Sequence, residues 1–282
     1  MNFMNLPEEY AGDETKFFIL PIEYEGNVTA GKGAVNGSKE IVRASYQLEY
    51  YDEQFKNEAF AQGIKLLPSL ELAEVSPEEM VSKVAQEVIK LNNKFLITVG
   101  GDHSVTIGTL QGLEQSNEEF SVIVFDAHAD MFYSWNDSRF NHRCVNSYAS
   151  GKHDVAIVGL RSLDKDEADI IEKSDNIHAV YAFENLRDKL KEILPKLKNK
   201  VYISIDVDVF DPAFIRNTGT PEPGGLDWYT MIDLLKLIFE QKEVIGAGVV
   251  EFAPNENYTA EAYSLAKLVY KLISMKEKFC CY

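Results

Sequence analysis

The sequence predicts an α/β protein built on an open, mostly parallel sheet with helices on both faces. Three observations lead there. Short apolar runs rich in Val and Ile recur along the chain, helical patterns lie between them, and ionisable residues gather where several runs end. Such runs are continuous rather than alternating, which is how strands buried on both faces read. Strand and helix in alternation imply a parallel sheet, because each parallel pair needs a crossover.

The runs are KFFILPI (16–22), FLITV (95–99), SVIVF (121–125), DVAIVGL (154–160), HAVYA (178–182), VYISI (201–205) and VIGAGVV (244–250). Among the helices, one opens at Ser76-Pro77-Glu78-Glu79, an N-cap with Pro at N1 and Glu at N3, and runs to about Leu91. Another opens at Asp227 and carries Ile232, Leu235, Leu237 and Ile238 at helical spacing. A third spans Thr259 to Met275. No linker, repeat or low-complexity run divides the 282 residues, so one domain over 1–282 is expected.

The formal net charge of −17 argues against nucleic acid and anionic membrane surfaces as partners. It favours cations, whether metal ions or basic small molecules. Three cysteines, Cys144, Cys280 and Cys281, form no readable disulfide framework, which suits a reducing compartment. The N-terminus has no signal-peptide pattern, and no apolar run approaches the ~18 residues needed to span a bilayer. A cytoplasmic location is expected.

In open α/β sheets ligands bind beyond the carboxyl ends of strands. There the sequence places Gly100-Gly101-Asp102-His103-Ser104, then Asp126-Ala127-His128-Ala129-Asp130, then Asp206-Val207-Asp208 with Asp211-Pro212, and finally Glu251. In extended chain, residues two apart share a face, so Asp126, His128 and Asp130 are expected to converge, as are Asp206 and Asp208. Taken singly, GGDHS also fits a turn with a helix cap, and DVD with DP an Asx turn. Together they form a mixed nitrogen and oxygen set too large for one metal with an open position. Carboxylates with imidazole suit Mn(II), and Fe(II), Co(II) or Zn(II) less selectively, and a pair of ions fits the ligand count.

On GGDHS (100–104), DAHAD (126–130), SIDVDVFDP (204–212), TGTPEPGG (218–225) and VVEFAP (249–254), the sequence resembles the ureohydrolase family of agmatinases, arginases, formimidoylglutamases and guanidinobutyrases. The resemblance implies a three-layer α/β/α fold around an eight-stranded, mostly parallel sheet, and two Mn2+ per subunit. By motif match one ion would be held by His103, Asp126, Asp130 and Asp206, and the other by Asp126, His128, Asp206 and Asp208. Glu251 matches the carboxylate that holds the substrate guanidinium, and His142 a histidine used for proton transfer. Asp130 could hold a proton for the leaving amine. The implied chemistry is attack of a metal-bridging hydroxide on a guanidinium carbon, releasing urea and an amine. The resemblance also implies a homo-trimer or homo-hexamer.

Asn141-His142-Arg143-Cys144 and Gly159-Leu160-Arg161-Ser162 are closer to agmatinases than to arginases, so agmatine, yielding putrescine, is the expected substrate. Arg139 and Arg143 complicate this. Either facing the site would repel a dication and favour arginine, guanidinobutyrate or formimidoylglutamate; both could instead face solvent or a neighbouring subunit. Arg143 is taken as a substrate-binding candidate with Glu251 and His142. Arg216-Asn217 and Ala30 depart from the family pattern near the site entrance. A catalytically silent relative should have lost a metal ligand, and all six are present. A zinc deacetylase would need a His-rich pattern that is not seen.

Overall fold

The computed structural model describes residues 2–26, 31–91, 94–116, 119–255 and 259–279; Ala30, Cys280 and Cys281 lie outside these. The strands are β1 (Phe17–Glu23), β2 (Ile64–Leu66), β3 (Leu70–Glu71), β4 (Phe95–Val99), β5 (Ser121–Phe125), β6 (Val155–Leu160), β7 (Ile177–Tyr181), β8 (Lys200–Asp206) and β9 (Glu243–Val250). The helices are α1 (Gly37–Ala44), α2 (Pro77–Lys90), α3 (Val105–Glu114), α4 (Val145–Ser150), α5 (Lys165–Lys173), α6 (Leu186–Ile193), α7 (Trp228–Gln241) and α8 (Ala260–Phe279).

The strands pair in the order β2-β1-β4-β9-β8-β5-β6-β7, all in parallel, and β3 extends the pairing of β1. All seven apolar runs are strands. The additions are β2 and β3, of three and two residues, too short for a run to show in sequence.

Burial on both faces explains the continuous runs. Phe17 and Ile19 of β1, Ile97 of β4, Ile123 and Phe125 of β5 and Ile203 of β8 pack with Ile232 and Leu235 of α7 and Leu268 and Leu272 of α8. Their chain neighbours Phe18, Leu20, Leu96, Val122 and Val124 pack with Val81 and Val84 of α2 and Ile107 and Leu110 of α3. The sheet is thus the middle of three layers. Ser76 caps α2 by accepting from Glu79 N, and Asp227 caps α7 by accepting from Thr230 N. At the end of the chain, α8 continues one turn beyond the expected Met275. Among the described residues, no helix is long and apolar enough to cross a membrane.

Candidate metal centre and cavity

The four strands that end in ionisable residues, β4, β9, β8 and β5, are consecutive neighbours in the middle of the sheet. Their carboxyl ends therefore deliver His103, Glu251, Asp206 with Asp208, and Asp126 with His128 and Asp130 to one place. Convergence does not come from strand alternation, as expected from the sequence. The strands stop at Phe125 and Asp206, Val207–Val209 is a 3-10 turn, and Asp130 has a left-handed φ of 47°. Once the ladder ends, local turns rather than the pleat aim the side chains.

Those turns leave one oxygen of each central aspartate engaged with a backbone N–H. Asp126 Oδ1 accepts from His128 N at 2.6 Å, Asp206 Oδ1 from Asp208 N at 2.9 Å, and Asp208 Oδ1 from Ala127 N at 3.0 Å. The second oxygens face the imidazoles. His103 Nδ1 lies 3.1 Å from Asp126 Oδ2, 3.1 Å from Asp130 Oδ2 and 3.5 Å from Asp206 Oδ2. His128 Nδ1 lies 2.8 Å from Asp208 Oδ2 and 3.7 Å from Asp126 Oδ1.

One ring nitrogen carries at most one proton and cannot satisfy three carboxylates. Asp126 Oδ2 is buried without a hydrogen-bond partner. Both facts describe ligand atoms directed at a shared centre. His103, Asp126 and Asp206 offer atoms within 4.8 Å of one another, and so do Asp126, His128 and Asp208. Asp126 belongs to both sets. The donors, two imidazoles and four carboxylates with Asp130, fit a pair of divalent cations. His103 Nε2 lies 3.1 Å from Ser204 Oγ. A proton donated there would leave the Nδ1 lone pair for the centre, as outer partners of metal-binding histidines do.

The electrostatics agree. Burial alone would lower both imidazoles, yet bonds and charges from Asp126, Asp130 and Asp206 hold His103 well above its ordinary value. Asp126 and Asp208 push His128 up to about 12. Burial and then the Asp126 charge raise Asp130 to about 7, and burial with the charges of Asp208, Asp126 and Glu251 raises Asp206. A cluster with so much buried negative charge calls for positive charge.

Beside the cluster is a cavity of roughly 220 Å³, lined by His128, Asp130, His142, Arg143, Ser162, Asp206, Asp208, Gly219, Thr220 and Glu251. The three candidates outside the cluster, His142, Arg143 and Glu251, are thus brought to the same space. Glu251 has a left-handed φ of 66°, and its Oε1 accepts from His103 N at 2.7 Å. Burial first, then the Asp102 charge, raises its carboxyl well above the ordinary value. Burial lowers His142, with the nearby histidines and Arg143 adding and Asp102 opposing.

Arg143 lines the cavity, but its guanidinium is stacked 4.2 Å from the Phe132 ring and 4.3 Å from the Trp135 ring, with Asp164 at 3.7 Å. Arg139 stacks over Tyr133 at 4.0 Å. The sequence reading gave no structural role to Ser204, to Glu167, or to Arg161 and Ser162, which entered only as part of a substrate-class motif; Glu167 Oε1 accepts from Met131 N at 2.9 Å. Each acts on a partner distant in the chain.

The model of the arginase family matches residues 15–274. The N(1)-aminopropylagmatine ureohydrolase of Synechocystis sp. is 33% identical over 268 residues, 90% of this chain and 87% of that protein. The agmatinase of Pyrococcus horikoshii is 34% identical over 275 residues, 94% and 93% of the two chains. Among solved structures, the agmatine ureohydrolase of Thermoplasma volcanium superposes with a TM-score of 0.84 at 24% identity, covering 94% of this chain and 91% of that one, a likeness of fold. With the family match spanning nearly the whole chain, and the strand-end motifs standing together in space, the chain belongs to the arginase family.

Proposed function

We propose that this chain is a single-domain, manganese-dependent hydrolase that cleaves the guanidino group of agmatine to putrescine and urea. The observation that carries the proposal is the convergence of four strand ends on Asp126, with Glu251 and His142 in the wall of the adjoining cavity. His103, Asp126, Asp130 and Asp206 would hold one ion, and Asp126, His128, Asp206 and Asp208 the other. Hard oxygen donors with imidazole support manganese over softer choices. Bound there, two divalent ions would supply hydroxide from water near neutral pH.

The protein's own groups do the rest. Glu251, held by the His103 N–H, pairs with the substrate guanidinium and orients its carbon, which is catalysis by positioning. When the carbon becomes tetrahedral, the leaving amine needs a proton. Asp130, in the cavity wall, would hold it, and the His142 ring would relay protons between the cavity and solvent. Arg143 bounds the path of the substrate chain, its charge shared with two ring faces and Asp164. Its stacked position supports a wall rather than a carboxylate receptor, and so a cationic substrate.

A second substrate is favoured by the Synechocystis relative, whose name specifies agmatine carrying an aminopropyl group. The test is urea release by the manganese-loaded protein from agmatine, aminopropylagmatine, arginine and guanidinobutyrate, with formamide release from formimidoylglutamate. Turnover of one of the first two is expected; no turnover of any would sink the proposal. A homo-trimer or homo-hexamer is expected in sedimentation, and a cytoplasmic location on fractionation.

A further inference from the structure

Glu222 has no part in the chemistry above, yet the structure holds it at the site. Its Oε1 accepts from Ser162 Oγ at 3.0 Å and lies 4.0 Å from His128 Nε2, and both of those residues line the cavity. Its backbone is pinned as well. Arg161 Nη2 donates to the carbonyls of Glu222 at 2.9 Å and Asp208 at 2.7 Å, and Arg161 Nε to that of Pro223 at 3.1 Å. Asp211 Oδ2 accepts from Gly224 N at 2.8 Å and Gly225 N at 3.2 Å. The loop carrying Glu222 is thereby tied to the turn carrying Asp208, so the distance from this carboxylate to the ligand cluster is set by the fold.

The side chain of Glu222 is 36% exposed, and among the described residues no Lys or Arg is within ion-pair distance of its carboxylate, the nearby Arg161 guanidinium being bonded to backbone carbonyls. Other charges near the mouth are committed: Asp164 lies beside Arg143, and Arg143 is stacked between rings. Resting on the agmatine reading, we propose that Glu222 receives the distal ammonium of the substrate and selects doubly charged guanidines over singly charged ones. Glu251 would hold the guanidinium end, and Glu222 the amine at the other end of the methylene chain. A carboxylate pre-oriented by a hydroxyl on a fixed loop binds an ammonium without first being ordered.

The test compares agmatine with n-butylguanidine, which lacks the distal ammonium, in manganese-loaded wild type and Glu222→Gln. The ratio of kcat/KM for agmatine to that for butylguanidine should fall about tenfold in the variant, with the loss in KM and manganese content unchanged. An unchanged ratio overturns the proposal. So does an equal loss on both compounds with loss of manganese, which would make Glu222 a positioning residue for His128. If wild type hydrolyses neither compound, the agmatine reading fails by itself, and calorimetric titration of agmatine decides the role of Glu222. Tighter binding to wild type than to Glu222→Gln upholds it, and equal or absent binding overturns it.

Discussion

At the scale of the residue, two carboxylates of the centre occupy backbone conformations that side-chain-bearing residues rarely adopt, Asp130 and Glu251. Left-handed geometry costs roughly 1 kcal/mol or more for an L-residue and persists where the surroundings over-determine it. Here the Asp130 carbonyl accepts from Asn146 N and Ser147 N, and Glu251 N donates to Gly101 O at 2.9 Å. Asp126 is the residue on which most depends, because among the described residues it is the one shared by the two groups of converging donor atoms, His103 with Asp206 and His128 with Asp208. Asp126→Asn keeps the shape and removes the charge. We expect at least about a hundredfold less urea release and loss of bound manganese on gel filtration; a near-normal rate would refute the bridging role. The alternation of acid and histidine in DAHAD was legible in sequence because it follows a buried strand so closely. Ser204 and Glu222 were not, since their significance lies in distant partners: His103 is 101 residues from Ser204, and Ser162 is 60 residues from Glu222.

At the scale of the element, the loop before TGTP is anchored by α8. The buried Glu261 accepts from Arg216 N at 2.9 Å and from Asn217 N at 3.2 Å and Asn217 Nδ2 at 2.5 Å. That accounts for Arg216-Asn217 as a departure from the family pattern: a proline in place of Arg216 would lack the N–H that Glu261 receives. Glu261→Ala strands these donors and should cost about 3 kcal/mol in urea denaturation. It should also raise KM, since Gly219 and Thr220 follow on the same loop. On another edge, burial would raise Glu114, but His153 and Lys152 hold its carboxyl below the ordinary 4.5. A depressed acid stabilises above its unfolded pKa and loses that contribution as pH falls through the folded one. Glu114→Gln should therefore cost about 1 kcal/mol at pH 7, and the gap from wild type should narrow as the pH falls below the ordinary 4.5 and through the depressed folded value.

At the scale of the whole molecule, ions bound to a site that exists only in the folded chain stabilise it by mass action. Manganese at a thousand times its dissociation constant should add about 4 kcal/mol and raise Tm by several degrees, reversed by EDTA. Unchanged melting would count against the centre. The α/β class was legible because strands such as β1, β4, β5, β6 and β8 are buried on both faces, which leaves its mark directly in composition. The order of the strands was not, because nothing within β9 states that it lies between β4 and β8.

That placement has a consequence for synthesis. Among the described residues the last strand in chain order is a central one, so a chain emerging from the ribosome carries β4 and β8 with bare edges until residues 243–250 arrive. Bare edges invite pairing with other chains. The nascent protein is then most prone to aggregate late in translation, and a product cut short before Glu243 should be both inactive and insoluble. Residues 243–250 fill the gap between β4 and β8, and Glu251 directly behind them adds its carboxylate to the cavity wall.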